Sequence, residues 1–67
     1  MIADTQLLEE AIKKSGIKIS FLCEQLGISR TAFDKKKNGK TKFRVPEIYV
    51  LCDLLRLTTD EKAKIFK

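Results

Sequence analysis

The sequence contains no histidine and no tryptophan, one proline, three glycines and two cysteines. Without histidine there is no Ser-His-Asp or Cys-His nucleophile and no Cys/His zinc site. Two cysteines cannot complete a tetrahedral metal site alone. Cys23 and Cys52 stand far apart, each inside an apolar helical pattern, which reads as two small core residues in a reducing cytosol and not as a disulfide. There is no Gly-rich phosphate cradle and no carboxylate pair placed for acid–base work. Asp60 and Glu61 fall in the first turn of a helix pattern, where the helix dipole accounts for them. Neither an enzyme nor a bound metal or cofactor is expected. No apolar run approaches the ~18 residues of a membrane span, and the N-terminal stretch lacks a signal-peptide core. A cytoplasmic protein with no membrane partner is the expectation.

What remains is a short chain with a globular balance: 67 residues, 43% hydrophobic and 34% charged. This is enough for one small domain, residues 1–67, and a domain of that size buries only about 60% of the surface its unfolded chain exposes. Fourteen Lys and Arg against nine Asp and Glu give a net charge of +5. An excess of that sign on a small domain points to a polyanion, nucleic acid before a membrane surface.

Hydrophobic periodicity divides the chain into five helices. Asp4 and Thr5 are candidate N-caps for a first helix over about residues 5–15, with Leu7, Leu8, Ala11 and Ile12 as its stripe and Gly16 as its stop. Ile19, Leu22, Cys23 and Leu26 give a second helix over about 19–26, closed by Gly27. Ser29 then caps a third over Arg30–Lys37, ending at Asn38-Gly39. Its apolar face is weak, with Ala32 and Phe33 followed by Lys36 and Lys37 where a core helix would place Leu or Ile. Pro46 opens a fourth helix over about 46–56, the most regular stripe in the chain: Ile48, Leu51, Cys52 and Leu55. Thr58 and Glu61 form a capping-box pattern for a fifth over about 59–66. No strand pattern is present, so the fold class is all-α, five short helices around one core.

The charge is concentrated. Residues 30–44 hold Arg30, Lys35, Lys36, Lys37, Lys40, Lys42 and Arg44 against Asp34 alone, seven bases less one acid for a net +6, so the rest of the chain carries −1. These bases lie on one helix and the loop after it. That helix follows a shorter helix and a tight glycine turn. Such a pair suits major-groove reading, where one helix braces on the backbone while the next enters the groove.

These residues resemble the helix-turn-helix of the Cro and lambda-repressor-like family of phage and bacterial regulators, with the motif at 19–38. Cys23 stands where the helices cross and Ala is usual in the family, and Gly27 is the turn glycine. Leu22, Leu26, Ile28 and Phe33 fill the packing positions. The run Leu26-Gly27-Ile28-Ser29-Arg30-Thr31 and the loop Asn38-Gly39-Lys40 are both similar to the family pattern, and the resemblance extends over nearly the whole chain. It implies a compact lambda repressor-like DNA-binding domain. It further implies a sequence-specific transcriptional regulator of double-stranded DNA, of Cro-like or repressor type, acting as a homodimer on a palindromic operator.

Carried over by position, Ser29, Arg30, Thr31 and Lys35 would face bases, Arg30 foremost because its fork matches guanine O6 and N7. Ser29 also serves as a plain N-cap, and the two roles are compatible. Lys36, Lys37, Lys40, Lys42 and Arg44 would contact phosphates, the first two laying their aliphatic stems along the core edge. Asp34 is expected to face away from DNA and pair with a lysine, or else to accept from a cytosine amine. Ile65 and Phe66 would form a dimer surface at the C-terminal end, or pack internally against Leu55 and Leu57. Three features depart from the family. Ile19 stands where Gln is frequent, and Lys36 where Ile or Leu is usual. No oligomerisation domain follows Lys67, which suits a Cro-like single-domain regulator. The alternative function is a protein-interaction module, such as an antirepressor, that uses the fold without reading DNA.

Overall fold

The computed structural model describes residues 2–66 as five α-helices: α1 (Thr5–Ser15), α2 (Ile19–Leu26), α3 (Arg30–Lys37), α4 (Val45–Leu55) and α5 (Thr59–Ile65). The stripes read from the sequence converge on one core of Leu8, Ile12, Leu22, Cys23, Phe33, Ile48, Leu51 and Leu55, joined by Ala3, Phe43, Ile65 and Phe66. α2 packs on α3 and α4, and α1 crosses α3, α4 and α5.

Local chemistry sets each boundary. Asp4, and not Thr5, caps α1 by accepting the Leu7 N–H at 3.1 Å. Thr5 is thereby free to donate its hydroxyl across the molecule to the Lys37 carbonyl, at 2.8 Å. α2 ends at Gly27, whose φ of +68° is strained for any residue with a Cβ. The N–H groups of Gly27 and Ile28 reach back to the Glu24 and Cys23 carbonyls, a Schellman arrangement that turns the chain sharply into α3. α4 starts one residue earlier than expected, because the Arg44 carbonyl already accepts the Ile48 N–H and Val45 takes the first helical position. Pro46 then falls second, where its missing N–H is still no loss. The Thr58–Glu61 capping box forms in both directions, at 3.0 and 3.1 Å.

Two packing features were not visible in the helix patterns. Phe43 lies within the basic loop yet is buried. Its ring stands edge-on to both Phe33, at 6.3 Å, and Phe66, at 5.6 Å. The chain ends also meet: Ala3 and Phe66 form an antiparallel bridge, and the Asp4 N–H donates to the Ile65 carbonyl at 2.7 Å.

Of the two expectations for Ile65 and Phe66, this packing corrects the dimer surface in favour of internal packing. They are 3% and 2% exposed, because Phe66 completes the aromatic cluster and Ile65 closes the core beside it. No side-chain surface is left for a partner. Cys23 and Cys52 are both free thiols, and burial raises the pKa of each, so neither is poised to react.

Phe66→Ala should therefore lower the unfolding free energy by about 3–5 kcal/mol, the range for removing a buried ring. Urea denaturation should give this loss at every protein concentration; a loss that vanished on dilution would restore Phe66 to an interface.

Candidate nucleic-acid interface

α3 buries one side chain, Phe33, and turns the opposite side outward. At about 100° per residue, Thr31 and Lys35 lie on that outer side, with Asp34 next to Thr31 and Arg30 beyond it on the flank, about 60° from Phe33. Arg30, Thr31 and Lys35 are all exposed. Ser29 is exposed as well and caps the helix, its hydroxyl oxygen accepting the Ala32 N–H at 3.1 Å. The hydroxyl proton is not used in that bond, so capping leaves a donor at the helix tip. Beyond the helix, Lys40, Lys42 and Arg44 are exposed on a loop held from beneath by Phe43.

The end of α3 satisfies its own backbone. The Asp34 and Lys36 carbonyls accept from the N–H groups of Asn38 and Gly39, and the Lys35 carbonyl accepts from Lys40 and Thr41. The Lys37 carbonyl accepts from Thr5. Thus the four carbonyls that a helix normally leaves open are all paired. The loop is folded back over the helix end with Gly39 at φ +78°.

The seven bases of this segment divide into three groups. Lys36 reaches Glu47 at 2.6 and 2.7 Å, and the side chains are only 14% and 11% exposed. Lys37 meets Glu9 at 3.2 Å, its own side chain 13% exposed. The expectation that both ammonium groups point outward to phosphates is therefore corrected. Both side chains are largely buried, and the charges go to acids on α4 and α1. Arg30 bonds Asp34 through Nε at 3.1 Å, so the partner of Asp34 is an arginine and not a lysine. Among the described residues no ion pair holds Lys35, Lys40, Lys42 or Arg44, and all four are exposed.

Glu47 ties the site to the fold. Burial disfavours its carboxylate, but the Lys36 ammonium, the Arg44 N–H and the charges of Lys36 and Arg44 together outweigh that and lower its pKa. Arginine has no side-chain acceptor, so only the carboxylate half of a capping box forms at the start of α4, the Arg44 N–H donating to Glu47 Oε1 at 2.7 Å. One carboxylate thereby holds the end of α3, the last residue of the basic loop and the first turn of α4. No sequence motif announced this, since Lys36 and Glu47 lie on different elements. The only hint was two lysines where apolar residues belong.

The surface offers donors and positive charge at a helix tip and along a loop. Among the described residues no cluster of three or more His, Cys, Asp or Glu could hold a metal ion, and no helix is long and apolar enough to cross a membrane.

The family model for the Cro/C1-type HTH DNA-binding domain matches residues 8–61, from within α1 into α5. Searches of curated proteins and of solved structures gave no significant match.

Because its pKa is lowered on folding, Glu47 contributes stability that is complete above its ordinary value, about 4.5, and lost as pH falls through the folded value. Glu47→Gln should cost about 1.5–3 kcal/mol at neutral pH, the range for hydrogen bonds to charged groups. The gap between wild type and variant in urea midpoint should close as pH drops below about 4.5. A gap independent of pH would show that the carboxylate charge is not what matters.

Proposed function

The chain belongs to the Cro/C1-type helix-turn-helix DNA-binding domain family, and on that premise we propose that it is a sequence-specific transcriptional regulator, of the phage Cro or repressor kind, that inserts α3 into the major groove of double-stranded DNA. α2 braces across the backbone while the tip of α3 meets base edges. The observation that carries this reading is the sorting of charge around α3: Lys36 and Lys37 are neutralised at its base, while Ser29, Arg30, Thr31 and Lys35 on α3 and Lys40, Lys42 and Arg44 on the loop are all exposed.

The roles divide by chemistry. Arg30 reads a guanine through its paired donors, and Thr31 meets a thymine methyl or a neighbouring base edge. Ser29 adds its hydroxyl proton at the groove wall, and Lys35 reaches a base or adjacent phosphate. Lys40, Lys42 and Arg44 contact phosphates and fix the register without reading sequence. Lys36 and Lys37 act through the fold. The operator is a palindrome bound by two copies, with half-sites one helical turn, about 34 Å, apart.

Selection of binding sites from random duplex tests the whole reading, since a recovered palindrome reports sequence and symmetry together. On the recovered site, Arg30→Ala should cost about 1–3 kcal/mol and relax preference at one base pair. Lys40→Ala and Lys42→Ala should weaken all duplexes alike and each make the slope of log K against log salt shallower by about 0.9. Duplex binding insensitive to salt and to all three changes, or binding to an acidic protein in place of duplex, would overturn it.

A further inference from the structure

We propose that Asp34 is a specificity-determining positioning residue: it holds Arg30 through Nε so that the guanidinium is presented to a base already oriented. This deepens the groove-reading function proposed above and rests on it.

Neither stability nor attraction to DNA explains an acid at this position. The pair is exposed, 61% for Arg30 and 42% for Asp34, and exposed i,i+4 pairs contribute little to folding. Its order, base before acid, is also the less favourable one along a helix. Asp34 is moreover the single acid among the seven bases of residues 30–44, on the side of α3 turned toward a polyanion. A neutral residue there would repel phosphate less.

The geometry supplies a different role. Side chains on a helix lean toward its N-terminus, so Arg30, first residue of α3, would extend beyond the helix end. The Nε–Oδ1 bond of 3.1 Å draws it the other way, toward the second turn. Asp34 stands about 40° around the helix from Arg30, between it and Thr31. The tether therefore brings the guanidinium from the flank onto the outer face. A guanidinium is planar, so fixing Nε restricts the plane of the whole group and removes rotamer freedom that base binding would otherwise have to remove. The bond occupies Nε alone and leaves both terminal nitrogens to make a forked contact with guanine.

Two opposite effects of Asp34→Ala follow. Removing a negative charge raises affinity for non-specific duplex, while freeing Arg30 lowers discrimination. Wild type, Asp34→Ala, Asp34→Glu, Arg30→Ala and the double variant Arg30→Ala/Asp34→Ala are compared on three duplexes: the selected site, the same site changed at the base pair where Arg30→Ala loses preference, and a non-specific sequence. Asp34→Ala should bind non-specific duplex more tightly yet lose roughly 3- to 10-fold in discrimination at that base pair. Asp34→Glu, which keeps an i,i+4 carboxylate, should recover most of the loss, and the double variant should discriminate no worse than Arg30→Ala. Non-specific affinity that rises with discrimination intact would reduce Asp34 to a charge and overturn the proposal. A changed preference at another base pair, persisting in the Arg30→Ala background, would overturn it in favour of a direct base contact by Asp34. If wild type selects no sequence, or Arg30→Ala leaves every preference intact, the groove-reading function itself fails and this inference falls with it.

Discussion

A helix proposed to enter a DNA groove cannot bury much of itself, and α3 has only Phe33 fully inside. One ring cannot fix the rotation of an eight-residue helix. The remaining hold is polar: Lys36 to Glu47, Lys37 to Glu9, and the Thr5 hydroxyl to the Lys37 carbonyl. These contacts join α3 to α4 and to two places on α1. Each uses the inner edge of the helix, so the outer side stays open. The orientation of Ser29, Arg30, Thr31 and Lys35 depends on this mooring.

The loop after α3 obeys the same constraint. In its proposed role it is polar so as to meet phosphates, yet held firmly enough to set a register. Phe43 supplies the hold by inserting between Phe33 and Phe66, while Lys40, Lys42 and Arg44 remain exposed. The Phe66 ring is in turn kept in place by the pairing of the chain ends at Ala3. A side chain at the far end of the sequence therefore supports the loop proposed to touch DNA. In a domain this small a single core serves both purposes, and damage to it reaches the interface directly.

Charge acts in three ways along one short segment. Lysines at the inner edge of α3 are neutralised and act as structure. Bases on the loop are unpaired among the described residues and available to a polyanion. Arg30 is bonded yet exposed, by a partner that leaves its terminal nitrogens open. A net +6 over residues 30–44 is thus not a uniform patch. The part of it that a phosphate would meet is smaller and more sharply placed than the composition implies.

The sequence by itself determined the helices, the turn and the family pattern. Caps such as Ser29 and Thr58, the left-handed Gly27 and the stripes of α1, α2 and α4 act within a few residues, and the observed boundaries follow them to within one residue. Tertiary structure alone decided where long side chains go. Lys36 and Lys35 are neighbours with the same chemistry, yet one meets a carboxylate on α4 while the other faces outward. Phe43 looked like part of a basic loop, and Ile65 and Phe66 fitted a dimer surface and internal packing equally well. Each became core because packing brought distant elements against it. Periodicity and capping are local and can be read along the chain; the partner of a charge or a ring is set by what the fold places beside it.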